Sequence, residues 1–316
     1  QAGQAPQAEV LCRRVLEVSP EHPGAHYLLG LMAHAYGKPD MAIDHLRVTC
    51  RAPDAPASSW SDLAEMCRQA GRLDEALAAA RRAVEIDPAF VAGWNNLGIV
   101  LQEAGQLEES LTCLTRVSEL MPASADAQNN LGNTARLLGR LAVAETHYRR
   151  ALDRDPERAD AHSNLASLLS AQQRFAEAET LARRAIELAP QFVDAYRNLA
   201  NVELARGNVA AALQTVEVMS AFAPKHPSTL VARALILRLV GRLDEALANA
   251  REALALLPES ADARAALCIV EADVAAREAT GAAQPSVASL APNNAPESPD
   301  FTAIYDAVVA RGRAQD

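Results

Sequence analysis

Glycine and proline recur along this chain at a fixed interval of 34 residues. The glycines lie at Gly3, Gly37, Gly71, Gly105, Gly139, Gly207 and Gly241, and the prolines lie at Pro88, Pro122, Pro156, Pro190, Pro224 and Pro258. Gln173 occupies the glycine position between Gly139 and Gly207. Two independent series with the same spacing indicate an internal repeat, so the chain must be built by stacking one structural unit on itself.

The residues of one period predict two helices separated by a turn. Trp94, Leu97 and Leu101 follow one another at the spacing of a single helix face. Gly105 then permits a tight turn, and Pro122 prevents a second helix from continuing. The expected fold class is therefore all-α.

The composition agrees with closely packed helices. Hydrophobic residues make up 50% of the chain, which excludes a disordered protein, but aromatic residues make up only 4%. Alanine occupies many of the helix-crossing positions and would let paired helices approach each other closely. The formal charge of −10 argues against a nucleic-acid surface and against an anionic membrane as partners.

The spacing and residue types resemble the tetratricopeptide repeat. The matching residues of one period are Trp94, Leu97, Gly98, Leu101, Leu107, Leu114 and Pro122, with Ser110 in an alanine position. The resemblance implies an α-solenoid, a right-handed superhelix of antiparallel helix pairs. In that family the first helix of each pair lines a concave surface and the second helix covers the convex one.

The repeat divides the chain into three parts. We expect an array over residues 1–278, with a half repeat at 1–22, seven full repeats from about 23 to 260 and a closing helix at 261–278. Residues 279–300 are rich in proline, serine and asparagine and predict a flexible linker. Residues 301–316 predict a short amphipathic helix. That helix could fold back onto the array, begin a further domain or dock in the groove of a neighbouring molecule.

Asparagine recurs at one position of four consecutive repeats, namely Asn96, Asn130, Asn164 and Asn198. We call these four residues the amide column. An amide side chain carries donors and an acceptor, so such a column can bind the backbone of an extended peptide without reading its sequence. Asn133 and Asn201 repeat the pattern three residues later, and Arg136 and Arg197 add cations on the expected concave side. The amides could instead form hydrogen bonds between repeats.

The amide column also resembles the asparagine ladder of the O-linked N-acetylglucosamine transferases, and residues 193–201 are especially similar to repeats of that family. The resemblance implies binding of a peptide backbone. It also raises a second hypothesis, in which the chain is the substrate-recruiting region of a larger glycosyltransferase whose catalytic domain is absent here.

Paired arginines recur on the expected second helices. They are Arg81 and Arg82, Arg149 and Arg150, and Arg183 and Arg184. Because Glu85, Asp153 and Glu187 lie four residues after the first arginine of each pair, ion pairs on an outer face explain them better than a nucleic-acid surface does.

Signals for catalysis, metals and cofactors are missing from the sequence. The chain has no glycine-rich phosphate loop and no nucleophile motif, its histidines are scattered, and its five cysteines form no CxxC pair. We therefore expect no catalytic residue, no metal and no cofactor, and a reducing compartment. A cytoplasmic location follows, although the chain begins at Gln1 and a periplasmic location stays open. No apolar run is long enough for membrane insertion.

The leading hypothesis is a non-enzymatic scaffold that holds a protein or extended peptide partner in its concave groove. The residues expected to bind the peptide are Asn96, Asn130, Asn133, Asn164, Asn198, Asn201, Arg136 and Arg197. Self-association through the open half repeat or the C-terminal helix is a further hypothesis.

Overall fold

The computed structural model describes residues 5–280, which form sixteen α-helices and no β-strand. The linker and the amphipathic helix expected after residue 280 lie outside the described residues. The helices are α1 (Ala5–Val18), α2 (Pro23–Ala35), α3 (Pro39–Cys50), α4 (Ala57–Gln69), α5 (Leu73–Ile86), α6 (Val91–Glu103), α7 (Leu107–Leu120), α8 (Ala125–Leu137), α9 (Leu141–Arg154), α10 (Ala159–Ala171), α11 (Phe175–Leu188), α12 (Val193–Ala205), α13 (Val209–Phe222), α14 (Pro227–Leu239), α15 (Leu243–Leu256) and α16 (Ala261–Thr280). The all-α prediction is confirmed.

The helices form two compact units. The N-terminal unit spans Gln1–Arg154 and holds α1 to α9, and the C-terminal unit begins at Asp155 and holds α10 to α16. Within each unit, the even-numbered helix from α2 onward packs against the odd-numbered helix that follows it, and consecutive even-numbered helices also touch. We call the even-numbered helices first helices and the odd-numbered ones second helices. Each unit is therefore a stack of helix pairs.

The turn inside a pair depends on a left-handed backbone. Gly71 and Gly105 have φ of +72° and +74°, and a Cβ atom at either position would meet no atom within 4 Å. Glycine is favoured there because of the positive φ angle alone, since a residue with a Cβ atom is sterically strained in this conformation. Gln173 adopts φ of +61° at the equivalent turn and keeps the same geometry at that cost.

In two helix pairs of the N-terminal unit, a large side chain of the second helix packs directly against a glycine of the first helix. A Cβ atom on Gly132 would lie 2.5 Å from Cε1 of Tyr148, and one on Gly98 would lie 2.7 Å from Cδ2 of Leu114. Tyr148 and Leu114 are fully buried. Close helix contact therefore comes from glycine opposite a large residue in these pairs, as well as from buried alanines such as Ala80.

Proline contributes to the stack through its carbonyl group as well as through its ring. Trp94 Nε1 donates to the carbonyl oxygen of Pro88 at 2.9 Å, and Tyr196 Oη donates to that of Pro190 at 3.0 Å. His162 Nε2 lies 2.8 Å from the carbonyl oxygen of Pro156. The fourth position of a first helix thus accepts tryptophan, tyrosine or histidine because each ring carries a donor that reaches the preceding turn.

Candidate functional site

The candidate site is the row of first-helix positions that the sequence analysis assigned to the concave surface. We number positions from the start of each first helix, at residues 23, 57, 91, 125, 159, 193, 227 and 261. The amide column then occupies the sixth position of four helices. The fifth position precedes it, and the ninth lies one turn further along the same helix.

Three members of the amide column bond to the fifth position of the preceding first helix. Asn96 Nδ2 donates to Ser61 Oγ at 2.9 Å, and Asn198 Nδ2 donates to the hydroxyl and the carbonyl of Ser163 at 2.9 and 3.0 Å. Asn130 Nδ2 donates to Asn95 Oδ1 at 2.9 Å. We call these contacts amide bridges. They realise the alternative in which the amides hydrogen-bond between repeats.

Burial differs along the column. Asn198 is buried, with 7% of its surface exposed, whereas Asn96, Asn130 and Asn164 are half-buried. An amide has a second N–H and an acceptor oxygen beyond its bridge, so Asn96 and Asn130 can bind a further polar partner. Asn198 has almost no surface left to offer a ligand.

The remaining predicted residues have three kinds of surroundings. Asn133 accepts a hydrogen bond from Tyr148 Oη at 2.8 Å and so helps to hold a buried ring. Arg136 and Asn201 are exposed. Arg197 donates to Asp194 at 3.0 Å, and its buried Nε has no hydrogen-bond partner among the described residues.

The N-terminal end of the row reverses the direction of the bridge. Tyr27 occupies a fifth position and donates through Oη to Asp62 Oδ2, at the sixth position of the next first helix, over 2.7 Å. This hydrogen bond, with burial and the charge of Asp62 acting in the same direction, raises the pKa of Tyr27 to about 12. The first helices α2 and α4 are therefore joined by a side-chain hydrogen bond although neither residue is an asparagine.

The C-terminal unit contains a groove that the sequence analysis did not predict. It has a volume of about 290 Å³ and runs along α12, α14 and α16. Its lining comprises Arg197, Asn201, Pro227, Ser228, Val231, Ala232, Leu235, Leu257, Ser260, Asp262, Ala265, Ala266 and Ile269. Leu257 and Ile269 expose 49% and 43% of their surfaces, so the groove offers apolar side chains to solvent. Arg197 and Asn201 are the two predicted site residues that it includes.

The groove lies where the amide bridges stop. Ala232 and Ala266 occupy the sixth positions of α14 and α16, and alanine has no polar atom to bridge with. Val231 occupies the fifth position of α14, where earlier helices carry Ser163 or Arg197. The signal that could have located the groove is this change from polar to apolar residues at fixed repeat positions.

Arg81 and Arg82 form ion pairs, although the partner of Arg81 differs from the predicted one. Arg81 pairs with Glu109 on α7 at 3.0 Å, whereas Glu85 pairs with Arg82 at 3.1 Å. The prediction of an Arg81–Glu85 pair is therefore wrong. In this pair of repeats the first arginine reaches across to the next second helix, which places ion pairs between repeats as well as within them.

His22, His26 and His45 form hydrogen bonds with nearby residues. His22 Nδ1 accepts from the backbone N–H of Ala25, and His26 bonds through Nε2 to the carbonyl of Pro20 and through Nδ1 to His45. Burial and the neighbouring His26 lower the pKa of His45. Across residues 5–280, no three histidine, cysteine or acidic side chains group together in a way that could hold a metal ion. Within the same range, none of the helices has the length and apolar character of a bilayer-spanning segment.

Comparison with known proteins agrees with the repeat. Models of the tetratricopeptide repeat match residues 1–58, 64–105, 90–157, 124–191 and 171–234. No curated protein matches the sequence.

Several solved structures share the fold. A tetratricopeptide repeat protein from Parabacteroides merdae is 17% identical, with a TM-score of 0.67 over 79% of this chain and 98% of that one. Yeast Tom70 is 15% identical, with a TM-score of 0.66 over 87% and 59% of the two chains. A chain of the APC/C hetero-tetramer Cut9–Hcn1 is 16% identical, with a TM-score of 0.63 over 83% and 52%. This chain thus spans about half the length of that Cut9–Hcn1 chain, and the likeness at these identities is one of fold.

Proposed function

The chain belongs to the tetratricopeptide repeat family, whose repeats serve as protein-interaction scaffolds, and we propose that its C-terminal groove holds an extended segment of a partner polypeptide. The observation that carries the proposal is the groove itself, in which exposed apolar side chains are joined by the polar side chains of Arg197 and Asn201. A concave surface that is lined mainly by apolar side chains and carries a few polar ones is the usual form of a ligand site.

The lining indicates how the segment would be held. Val231, Leu235 and Ile269 provide an apolar wall that fits one or two aliphatic side chains of the ligand. Asn201 is exposed beside this wall and can donate to one peptide carbonyl and accept from one peptide N–H. Arg197 and Asp262 carry opposite charges, so the groove selects apolar side chains in an extended chain rather than a highly charged ligand.

The amide column has a secondary part in this proposal. Asn96, Asn130 and Asn164 are half-buried, and an amide keeps a donor and an acceptor beyond its inter-repeat contact. These three residues would bind peptide backbone, in Asn96 and Asn130 in addition to joining helices. Asn198 is nearly buried by its bridge to Ser163, so we assign it to the fold.

Selection of a displayed random-peptide library on the full chain, followed by affinity measurement, tests the proposal. Val231→Asp places a charge in the apolar wall, and we expect it to lower the affinity for the selected peptides by about ten- to a hundredfold. Asn201→Ala removes one hydrogen-bonding side chain and should lower the affinity for these peptides by about three- to tenfold.

Leu239→Asp is the matched control, because Leu239 is an exposed leucine of the same helix that does not line the groove. It should bind the peptides as the wild type does. Equal loss in Leu239→Asp and Val231→Asp, or full binding by Val231→Asp, would contradict the proposal.

The resemblance to the repeat region of O-linked N-acetylglucosamine transferases stays a prediction. A groove for an extended polypeptide serves an independent scaffold and a substrate-recruiting region equally well. The coding sequence that follows Asp316 distinguishes them, because the second hypothesis requires a catalytic domain in the same reading frame.

A further inference from the structure

A carboxyl group lies in the core of the C-terminal unit. Glu203 occupies the eleventh position of α12, and only 3% of its surface is exposed. Leu169 and Leu237 occupy the equivalent positions of α10 and α14, and both are fully buried leucines. Glu203 therefore replaces an apolar residue at a packing position of the repeat, where an ionised side chain is costly.

Only one of the two carboxyl oxygens of Glu203 has a hydrogen-bond partner among the described residues. Thr215 on α13 donates through Oγ1 to Glu203 Oε2 at 2.8 Å. The other oxygen, Oε1, is buried without a hydrogen-bond partner among the described residues. Arg183 NH2 lies 3.6 Å from it, at the outer limit of an ion pair.

The nearby cations are engaged by another carboxylate. Glu179 on α11 pairs with Arg183 at 2.9 Å and also with Arg206, which follows α12. The charged groups that act on Glu203 are thus Arg183 and Glu179 of α11 and Arg206 itself, while α13 contributes the neutral Thr215. The other two helices packed against α12, which are α10 and α14, contribute no charged group to this environment within the described residues.

These surroundings favour the neutral carboxyl group. Burial raises the pKa of Glu203 to about 7, against the opposing effects of the Thr215 hydrogen bond and the Arg183 charge. A protonated carboxyl group carries no charge, so it does not require an ion pair with Arg183, which already pairs with Glu179.

We propose that Glu203 is a proton-dependent lock on the packing of α12 against α13. With a neutral carboxyl group, Glu203 fills its leucine position and bonds to Thr215. With an ionised carboxyl group, it must attract water or a cation into the core, and α12 opens more often. Because α12 also carries Arg197 and Asn201, its opening loosens one wall of the groove; this last step alone rests on the proposed function.

Hydrogen exchange of the α12 amides in the full chain, measured from pH 5 to pH 8, tests the lock. The wild type is compared with Glu203→Gln, which cannot ionise, at each pH. A buried acid whose pKa is raised stabilises the folded state at low pH and loses that effect as the pH rises towards 7. We expect the ratio of wild-type to variant opening constants to rise by up to about tenfold per pH unit between pH 5 and 7, and to level off by pH 8.

Three controls make the result specific. The amides of α6, in the N-terminal unit, should give a ratio near one at every pH. Glu217→Gln removes an exposed carboxylate from α13 and should exchange as the wild type does. Glu203→Leu restores the leucine of the neighbouring repeats and should show the same pH-independent opening as Glu203→Gln; it also replaces that variant as the reference if the glutamine protein does not fold.

A ratio that stays constant from pH 5 to 8 would overturn the lock. The exchange measurement uses no ligand, so the lock can fail while the groove still binds selected peptides. Conversely, loss of the peptide-binding proposal would leave the exchange result unaffected.

Discussion

Consecutive first helices meet in chemically different ways, and the pairs with an amide bridge differ from the pairs that line the groove. In α4–α6, α6–α8 and α10–α12, an asparagine at the sixth position bonds to a polar residue at the fifth position of the preceding helix. In α12–α14 and α14–α16 the sixth position is alanine, and the groove lies along these three helices. In each of these five pairs, the two first helices pack against each other. The difference indicates that asparagine joins repeats, and that the groove lies where asparagine gives way to alanine.

Removing a bridge should have the largest effect on stability. Asn198→Ala leaves the buried hydroxyl and carbonyl of Ser163 without their donor, and we expect the free energy of unfolding to fall by about 1–3 kcal/mol. Asn201→Ala is the matched control, because the same change is made three residues later on the same helix at an exposed position. It should change stability by less than about 0.5 kcal/mol.

Denaturant unfolding of the two variants provides the measurement. Helix propensity rises equally in both, so the difference between them reports the bridge. Equal stabilities would mean that the amide bridge contributes nothing, and the distinction between the two kinds of helix contact would lose its energetic basis.

Installing a bridge in the groove should have a moderate effect of the opposite sign. Arg197→Ser combined with Ala232→Asn recreates the pair formed by Ser163 and Asn198 one repeat later. We expect a gain of about 0.5–1.5 kcal/mol in unfolding free energy from the new hydrogen bond. The same variant should lose affinity for selected peptides, because an amide now occupies the groove floor.

The two single changes serve as controls for that double variant. Neither Arg197→Ser nor Ala232→Asn alone supplies both partners, so the coupling between them isolates the bridge. A coupling of zero would show that the positions of α12 and α14 do not allow the amide bridge to form.

The reversed bridge in the N-terminal unit should give the smallest and most local effect. Asp62→Asn removes the carboxylate that accepts the hydrogen bond of the Tyr27 hydroxyl. The pKa of Tyr27 should therefore fall from about 12 towards its ordinary value near 10. In the wild type, the stability that this contact supplies is present below pH 10 and is lost as the pH rises through 12. Absorbance titration of the phenolate measures the shift, and identical titration curves for the two proteins would contradict it.

The sequence predicted the fold well because periodicity carries that information directly. Glycine and proline spaced by 34 residues, with apolar residues on one helix face, favour an all-α stack, and the tetratricopeptide repeat resemblance is confirmed by the matched family models. Gln173 shows that even a departure from the pattern kept its backbone conformation.

The site was harder to predict because it depends on pairs of residues in different repeats. An asparagine at the sixth position has two possible partners, a ligand or the preceding helix, and the choice depends on the residue 35 positions earlier. Ser61 and Ser163 are buried polar residues at those positions, so a search for polar pairs at this separation would have found the bridges. Glu203 was missed for a similar reason, since it is conspicuous only beside Leu169 and Leu237.

The amide bridge has a consequence for how such a chain can change in length. Its acceptor is Ser61 in one repeat and Asn95 in the next, so the donor does not require one particular neighbour. Deleting residues 91–124 would bring Asn130 opposite Ser61, which is already an acceptor for an asparagine at the same position. Genetic loss of this 34-residue unit would therefore shorten the array while the new junction still has an asparagine donor and a serine acceptor.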